Sequence, residues 1–270
     1  MSRVVFITGA AGGIGRAAVS SFLSAGDFVC AADINDAGVK AIARTEKWPA
    51  NQTLILKLDV RNAKSWKSAV QAVLKKWQRL DVLINNAGYL LPAYVPAVTE
   101  EMLDRHFDIN AKGVILGTAE AARIMRAQNT GHIINIASLA GVAGIPGISV
   151  YSASKHAVRG FTLAAAQELA PAGISVTVIC PDAVKTPMLD LQKDFAEAAL
   201  TFSGSKYLEA SDVVDAMHRA LAKKPREILV PASRGMLARL ASAFPSLSAG
   251  VAGLMEKKGK ANQTRFRKGS

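Results

Sequence analysis

Apolar and polar positions alternate in blocks along this chain. Short apolar runs occupy residues 3–8, 27–32, 53–58, 81–84, 132–137, 174–179 and 227–230, and they are too continuous to leave one face wet. Such runs read as strands buried on both faces. Between them lie stretches with apolar residues three and four apart, at 16–25, 63–77, 100–127 and 151–170, which read as helices. The alternation predicts an α/β fold, a doubly wound parallel sheet of about seven strands flanked by helices on both faces, with right-handed crossovers. Ligands of such sheets gather beyond the carboxyl ends of the strands. The residues that close each run are therefore the ones to inspect: Gly9, Asp33, Asp59-Val60, Asn85 to Gly88, Ser138 and Pro181.

The first run passes into Gly9-Ala10-Ala11-Gly12-Gly13-Ile14-Gly15 and then into a helical stretch. Strand, glycine turn and helix is the order that lets backbone N–H groups and a helix N-terminus receive a pyrophosphate, whereas glycines alone also serve plain turns. Asp33 closes the second run at the spacing where a carboxylate can hold a ribose 2′-hydroxyl; the alternative is that it caps a helix beginning near Asp36. A 2′-phosphate at ~4 Å from that carboxylate would be repelled by about 4 kcal/mol per charge before screening, which favours NAD.

Tyr151 and Lys155 stand four apart, on one face of a helix. Bringing a tyrosine from its usual pKa near ~10 toward neutrality needs about 2.7 kcal/mol. A cation ~4 Å away supplies about 4 kcal/mol. The pair therefore has the magnitude needed for an acid/base device, although a single Y-x-x-x-K also occurs on plain amphipathic helices.

Taken together, T-G-x-x-x-G-I-G at Thr8 to Gly15, Asp33, Asp59-Val60, N-N-A-G at Asn85 to Gly88, Asn110, Ser138, Tyr151 with Lys155, and P-x-x-V-x-T at Pro181 to Thr186 resemble the short-chain dehydrogenase/reductase family over about residues 3 to 190. The resemblance implies a Rossmann-like fold and nicotinamide-dependent oxidation of alcohols or reduction of ketones. It also implies a tetrad in which Tyr151 is the acid/base, Lys155 lowers its pKa, Ser138 holds the substrate oxygen and Asn110 supports a proton relay. Gly9, Gly12, Gly13, Ile14, Gly15, Asp33, Asp59, Val60, Asn86, Ala87, Gly88, Pro181, Val184 and Thr186 would join Tyr151 and Lys155 around the cofactor. Asp182 stands where the family usually has glycine, which puts the placement of Val184 and Thr186 in question. The family's habit of pairing through long helices implies a homodimer or homotetramer.

The expected substrate wall draws on Leu90, Leu91, Val142, Ile145, Met188, Leu189, Leu191 and Phe195, with Met188 to Ser205 as a mobile lid. So apolar a set implies a hydrophobic secondary alcohol or ketone. At 270 residues, half of them hydrophobic and 6% aromatic, the chain suits one large domain. The division read from composition is a catalytic domain over 1–232, an apolar extension over 233–256 packed on the body or a partner, and a basic tail over 257–270 with the composition of disorder.

Thirty-three Lys and Arg against 21 Asp and Glu leave a net charge of +12, much of it in that tail. Without interleaved aromatics this does not point to nucleic acid. Membrane-surface contact by the tail stays open as the lesser reading. Cys30 and Cys180 each sit in an apolar run and read as buried thiols; with no cleavable signal and no metal-ligand cluster, the expectation is a cytoplasmic, metal-free protein. A second class stays open as well: a non-catalytic dinucleotide sensor or scaffold whose basic end meets a partner.

Overall fold

The computed structural model describes residues 2–204 and 206–268, with the side chains at 247–249, 251 and 252 excepted. In chain order the first half runs β1 (Val4–Thr8), α1 (Gly13–Ser24), β2 (Phe28–Asp33), α2 (Asp36–Thr45), β3 (Thr53–Lys57), α3 (Ala63–Trp77), β4 (Val82–Asn85) and α4 (Glu100–His106). There follow α5 (Gly113–Gln128), β5 (Gly131–Ile136), α6 (Ser149–Leu169), β6 (Ile174–Pro181), α7 (Pro187–Gln192), α8 (Ala210–Lys223), β7 (Glu227–Val230), α9 (Ala232–Ala243) and α10 (Pro245–Lys268). The seven strands form one sheet, all parallel, in the order β3-β2-β1-β4-β5-β6-β7.

The period of two along β1 explains the layers. Val5 and Ile7 join a core with Phe22 of α1, Val39 of α2 and Met217 of α8. Val4 and Phe6 face the opposite core, with Trp66 and Val73 of α3 and Met125 of α5. Both faces are covered, so all five residues of β1 are buried. Strand order reverses between β1 and β4, and the crevice at that switch point is where such sheets take ligands. No described helix is long and apolar enough to cross a membrane.

Three features depart from the pattern. The helix expected over 100–127 is interrupted by a π turn at Phe107–Lys112, with Asn110 fully buried inside it. The segment read as a lid contains α7 and a 3₁₀ stretch, Ala196–Phe202, and buries Leu189, Ala198 and Phe202; its last residue, Ser205, lies outside the described residues.

The disordered tail is a correction. Residues 257–268 continue α10, so the boundary at 256 falls inside a helix; Gly269 and Ser270 lie outside the described residues. Gln263 is 5% exposed, and Phe266 packs on Phe202 and Tyr207. These contacts order a segment whose charge alone would leave it solvated.

Candidate active site

Beyond β1 the chain turns at Gly9, whose φ of +69° suits glycine, and the Gly12 N–H closes the turn on the Gly9 carbonyl at 3.1 Å. A Cβ on Gly15 would lie 2.0 Å from the Gly9 oxygen, so α1 can approach the turn only with glycine there. The first turn of α1 has no capping side chain and no acidic residue. Its N–H groups therefore face the cleft as anion donors. Asn86 bridges the switch point: its side-chain amide donates to the carbonyls of Thr8 (3.0 Å) and Gly9 (3.3 Å). The Thr8 hydroxyl accepts from the N–H groups of Asn86 and Ala87.

Asp33 accepts from the N–H of Ala11 at 3.0 Å and of Asn35 at 2.9 Å, which ties β2 to the turn. Asn35, not Asp33, caps α2, through its hydrogen bond from the Gly38 N–H. Asp59 is paired with Arg61, whose hydrogen bonds hold its carboxyl below the usual range. A cavity of about 920 Å³ runs past Gly12, Gly13, Asp33, Asp59, Val60 and Ala87. A glycine-floored trough with a helix N-terminus at its middle and a carboxylate at one end fits a dinucleotide.

A second cavity, of about 760 Å³, contains Ser138, Tyr151, Lys155, Pro181, Asp182 and Val184, and the two meet at Ile14, Asn86, Gly88, Thr186 and Met188. Tyr151 and Lys155 lie one turn apart on α6, and the Lys155 ammonium sits 5.7 Å from the Tyr151 ring centroid. It donates to the Ile136 carbonyl at 2.9 Å. Burial pushes the Tyr151 phenol up to about 12, with a hydrogen bond to Ser138 acting the other way; burial draws Lys155 down to about 8. Ser138 lies two residues beyond β5, accepts from the Ala140 N–H and donates to the Pro181 carbonyl at 3.4 Å.

Asn110 accepts from the Tyr89 N–H at 2.7 Å and donates to the Tyr89 carbonyl and the Ser154 hydroxyl, both at 2.9 Å. A Cβ on Gly88 would lie 3.5 Å from the Asn110 oxygen and 3.7 Å from the Lys155 nitrogen, so both groups reach the same glycine.

Comparisons with known proteins agree with this geometry. The family model for short chain dehydrogenases matches residues 3–196. This chain belongs to the short-chain dehydrogenase/reductase family. It is 34% identical over 230 residues to a diacetyl reductase [(S)-acetoin forming] of Staphylococcus epidermidis, covering 80% of this chain and 90% of that one. A cyclopentanol dehydrogenase of Comamonas testosteroni is 37% identical over 207 residues, 76% and 82% of the two chains. Among solved structures, a short chain dehydrogenase/reductase from Burkholderia phymatum in complex with NAD superposes with a TM-score of 0.82 at 26% identity, covering 92% of this chain and 95% of that chain. ElxO with NADP bound gives 0.77 at 27%, covering 85% and 97%. The chain is thus an oxidoreductase of the CH–OH class with a Rossmann-like dinucleotide site.

Of the residues expected to form a substrate wall, Leu90, Ile145, Met188 and Leu189 line the second cavity, and Leu91 lines neither. Val142 instead packs with Val158 and Val178 in the core, Phe195 joins Phe202 and Phe266, and Leu191 is exposed. Asp182 keeps out of the left-handed region and pairs with Arg234 of α9, which offsets a burial that raises its carboxyl. The loop to Val184 and Thr186 is thereby kept: Thr186 lies over Gly13, where a Cβ would meet its methyl at 2.7 Å.

Sequence reasoning missed His106. Fully buried, it accepts from the Leu91 N–H with Nε2, bonds the Met102 carbonyl through Nδ1, and stacks edge-on with Tyr89. Its signal was the four-residue spacing to Asn110. Arg234, Leu237 and Met255 of the C-terminal helices also line the cavity, and no motif announced them.

Proposed function

We propose that this protein moves a hydride between NAD and a hydrophobic secondary alcohol or ketone, with Tyr151 as acid/base. The observation that carries the reading is the convergence of the Tyr151 phenol, the Ser138 hydroxyl and the Lys155 ammonium in the second cavity, with Lys155 beside Gly88 where the two cavities meet. Ser138 holds the substrate oxygen and stabilises the charge that develops on it. In oxidation the hydroxyl proton passes to the Tyr151 phenolate as the carbinol carbon gives up its hydride and becomes a carbonyl; in reduction the neutral phenol returns that proton. The bound nicotinamide supplies hydride acceptance or donation, on a ring that is cationic when oxidised. Lys155 favours the phenolate and, with Asn110 beside Gly88, provides the path by which the proton leaves. Gly12, Gly13 and the open turn of α1 hold the diphosphate, and Asp33 the adenosine ribose.

The preference for NAD rests on Asp33 and on its surroundings. Arg61, which lines the same cavity as Asp33, is ion-paired with Asp59, and Arg16 is ion-paired with Glu46. The apolar wall of the second cavity supports the hydrophobic substrate, in line with the cyclopentanol dehydrogenase relative. A homo-oligomer, as dimer or tetramer, fits the apolar Leu103 and Ile115 left exposed on the α4–α5 face; a monomeric mass by light scattering would contradict it.

The deciding experiment follows absorbance of the reduced nicotinamide with a panel of hydrophobic carbinols, sugars and hydroxy acids. Wild type should turn over the apolar compounds, and Tyr151→Phe should lose about 10²–10⁴-fold in kcat while still binding the dinucleotide. Binding without turnover in both proteins would instead mark a non-catalytic dinucleotide sensor.

A further inference from the structure

The C-terminal helix lies beyond the span matched by the family model, which ends at residue 196. It nevertheless makes specific polar contacts with the segment that walls the substrate cavity. The Asn262 amide donates both hydrogens to backbone carbonyls of that segment, Phe202 at 2.9 Å and Gly204 at 3.1 Å. The Gln263 amide does the same one residue on, to Gln192 at 3.1 Å and Phe195 at 2.8 Å. Arg267 adds a bond to the Lys193 carbonyl at 2.9 Å and an ion pair with Asp194.

The acceptors have a common origin. Gln192 and Lys193 sit at the end of the six-residue α7, and Phe195, Phe202 and Gly204 flank or end a 3₁₀ stretch; the Gln192 and Phe195 carbonyls also accept from the Phe195 and Ala198 N–H groups at 3.2 and 3.1 Å. A carbonyl oxygen has two lone pairs, so each of these groups has room for a donor from outside the segment. Here α10 satisfies them, and it comes so close that a Cβ on Gly259 would lie 2.1 Å from the Ala199 oxygen.

The same segment turns its other side to the cavity. Met188, Leu189, Gln192, Leu200 and Thr201 line it. Gln192 joins the two sides: its carbonyl accepts from Gln263, while its side-chain oxygen accepts from the Thr201 hydroxyl at 3.0 Å inside the wall.

We propose that Asn262 and Gln263 are positioning residues of the substrate site, which clasp the wall formed by residues 187–204 in its closed shape before substrate arrives. The proposal rests on the reading of that cavity as the substrate site. A preformed wall binds a matching apolar substrate without first having to be ordered, so loosening it weakens binding more than it slows chemistry.

The test compares full-length wild type with Gln263→Leu, which keeps the bulk and removes the donors, and with Asn262→Asp, which keeps the shape and removes them. Backbone hydrogen exchange over 187–204 should speed up about tenfold or more in either variant, with β1, α1 and β4 unchanged. KM for the best hydrophobic ketone should rise about tenfold with kcat falling less than about twofold, and dinucleotide affinity should stay at the wild-type value.

Exchange over 187–204 equal to wild type in both variants overturns the clasp. Faster exchange with KM unchanged overturns the positioning role. Should wild type turn over no alcohol or ketone, it is the reading of the function that fails. The clasp is then decided by exchange together with titration of the cavity by a fluorescent apolar probe, whose affinity should fall about tenfold in the variants.

Discussion

Asn110 combines two tasks that helix propensity would set against each other. An asparagine in the middle of a helix competes with the backbone for hydrogen bonds, and here the conflict is resolved by a π turn that turns its amide to Tyr89 and Ser154. Asn110→Leu leaves both backbone groups of Tyr89 without that partner. It should cost about 2–3 kcal/mol of stability, read as a lower urea midpoint at unchanged slope, and lower turnover because Tyr89 and Leu90 line the two cavities.

The Tyr151 phenol, held up to about 12 by burial, is the proton-donating form. Ketone reduction should therefore be flat with pH across neutrality, whereas kcat/KM for alcohol oxidation should rise toward alkaline pH. On the role proposed for Lys155, Lys155→Met should displace the oxidation profile to higher pH, because the charge that would favour the phenolate is gone. A profile that does not move would remove Lys155 from that role.

The glycine turn and the end of β2 line the first cavity together. Asp33 already accepts from Ala11 and Asn35, so its charge is held beside the first cavity by the backbone on either side of it. Exposed Ile34 follows it. Replacing the pair, Asp33→Ser with Ile34→Arg, removes a repulsion of about 4 kcal/mol before screening and adds a cation. After screening, the ratio of kcat/KM for NADP over NAD should rise about ten- to a hundredfold. Gly15→Ala tests the approach of α1 to the turn: its methyl meets the backbone oxygen of Gly9, not a flexible side chain. Overpacking of this kind typically costs about 1–3 kcal/mol, and dinucleotide affinity should fall with it.

On the scale of the whole molecule, a polar layer inside the sheet sets the response to acid. His132 is buried on β5 against the Thr177 hydroxyl, and burial draws it down to about 4; His106 is lowered for the same reason. The unfolded chain binds these protons near pH ~6.5, so it takes up more of them than the folded state does as pH falls below that value. Stability is full above about pH 6.5 and declines toward pH 4, with His132 contributing on the order of 3 kcal/mol. Denaturant melts at pH 7 and 4.5 should show the loss, and His132→Gln should reduce the difference between them.

Nearby, Asn85 donates to Asn135, which donates to Thr162 of α6, joining β4, β5 and the helix that carries Tyr151. The sequence by itself determined the sheet, the glycine turn, Asp33 and the Tyr151–Lys155 pair, because each depends on periodicity or on residues adjacent along the chain. Only the tertiary structure decided the bend at Asn110, the inward side of His106, the use of Asp182 to hold Arg234, and the docking of a basic helix on residues 192–204. Each of those is a hydrogen bond or ion pair between segments far apart in sequence, whose partners no local pattern names.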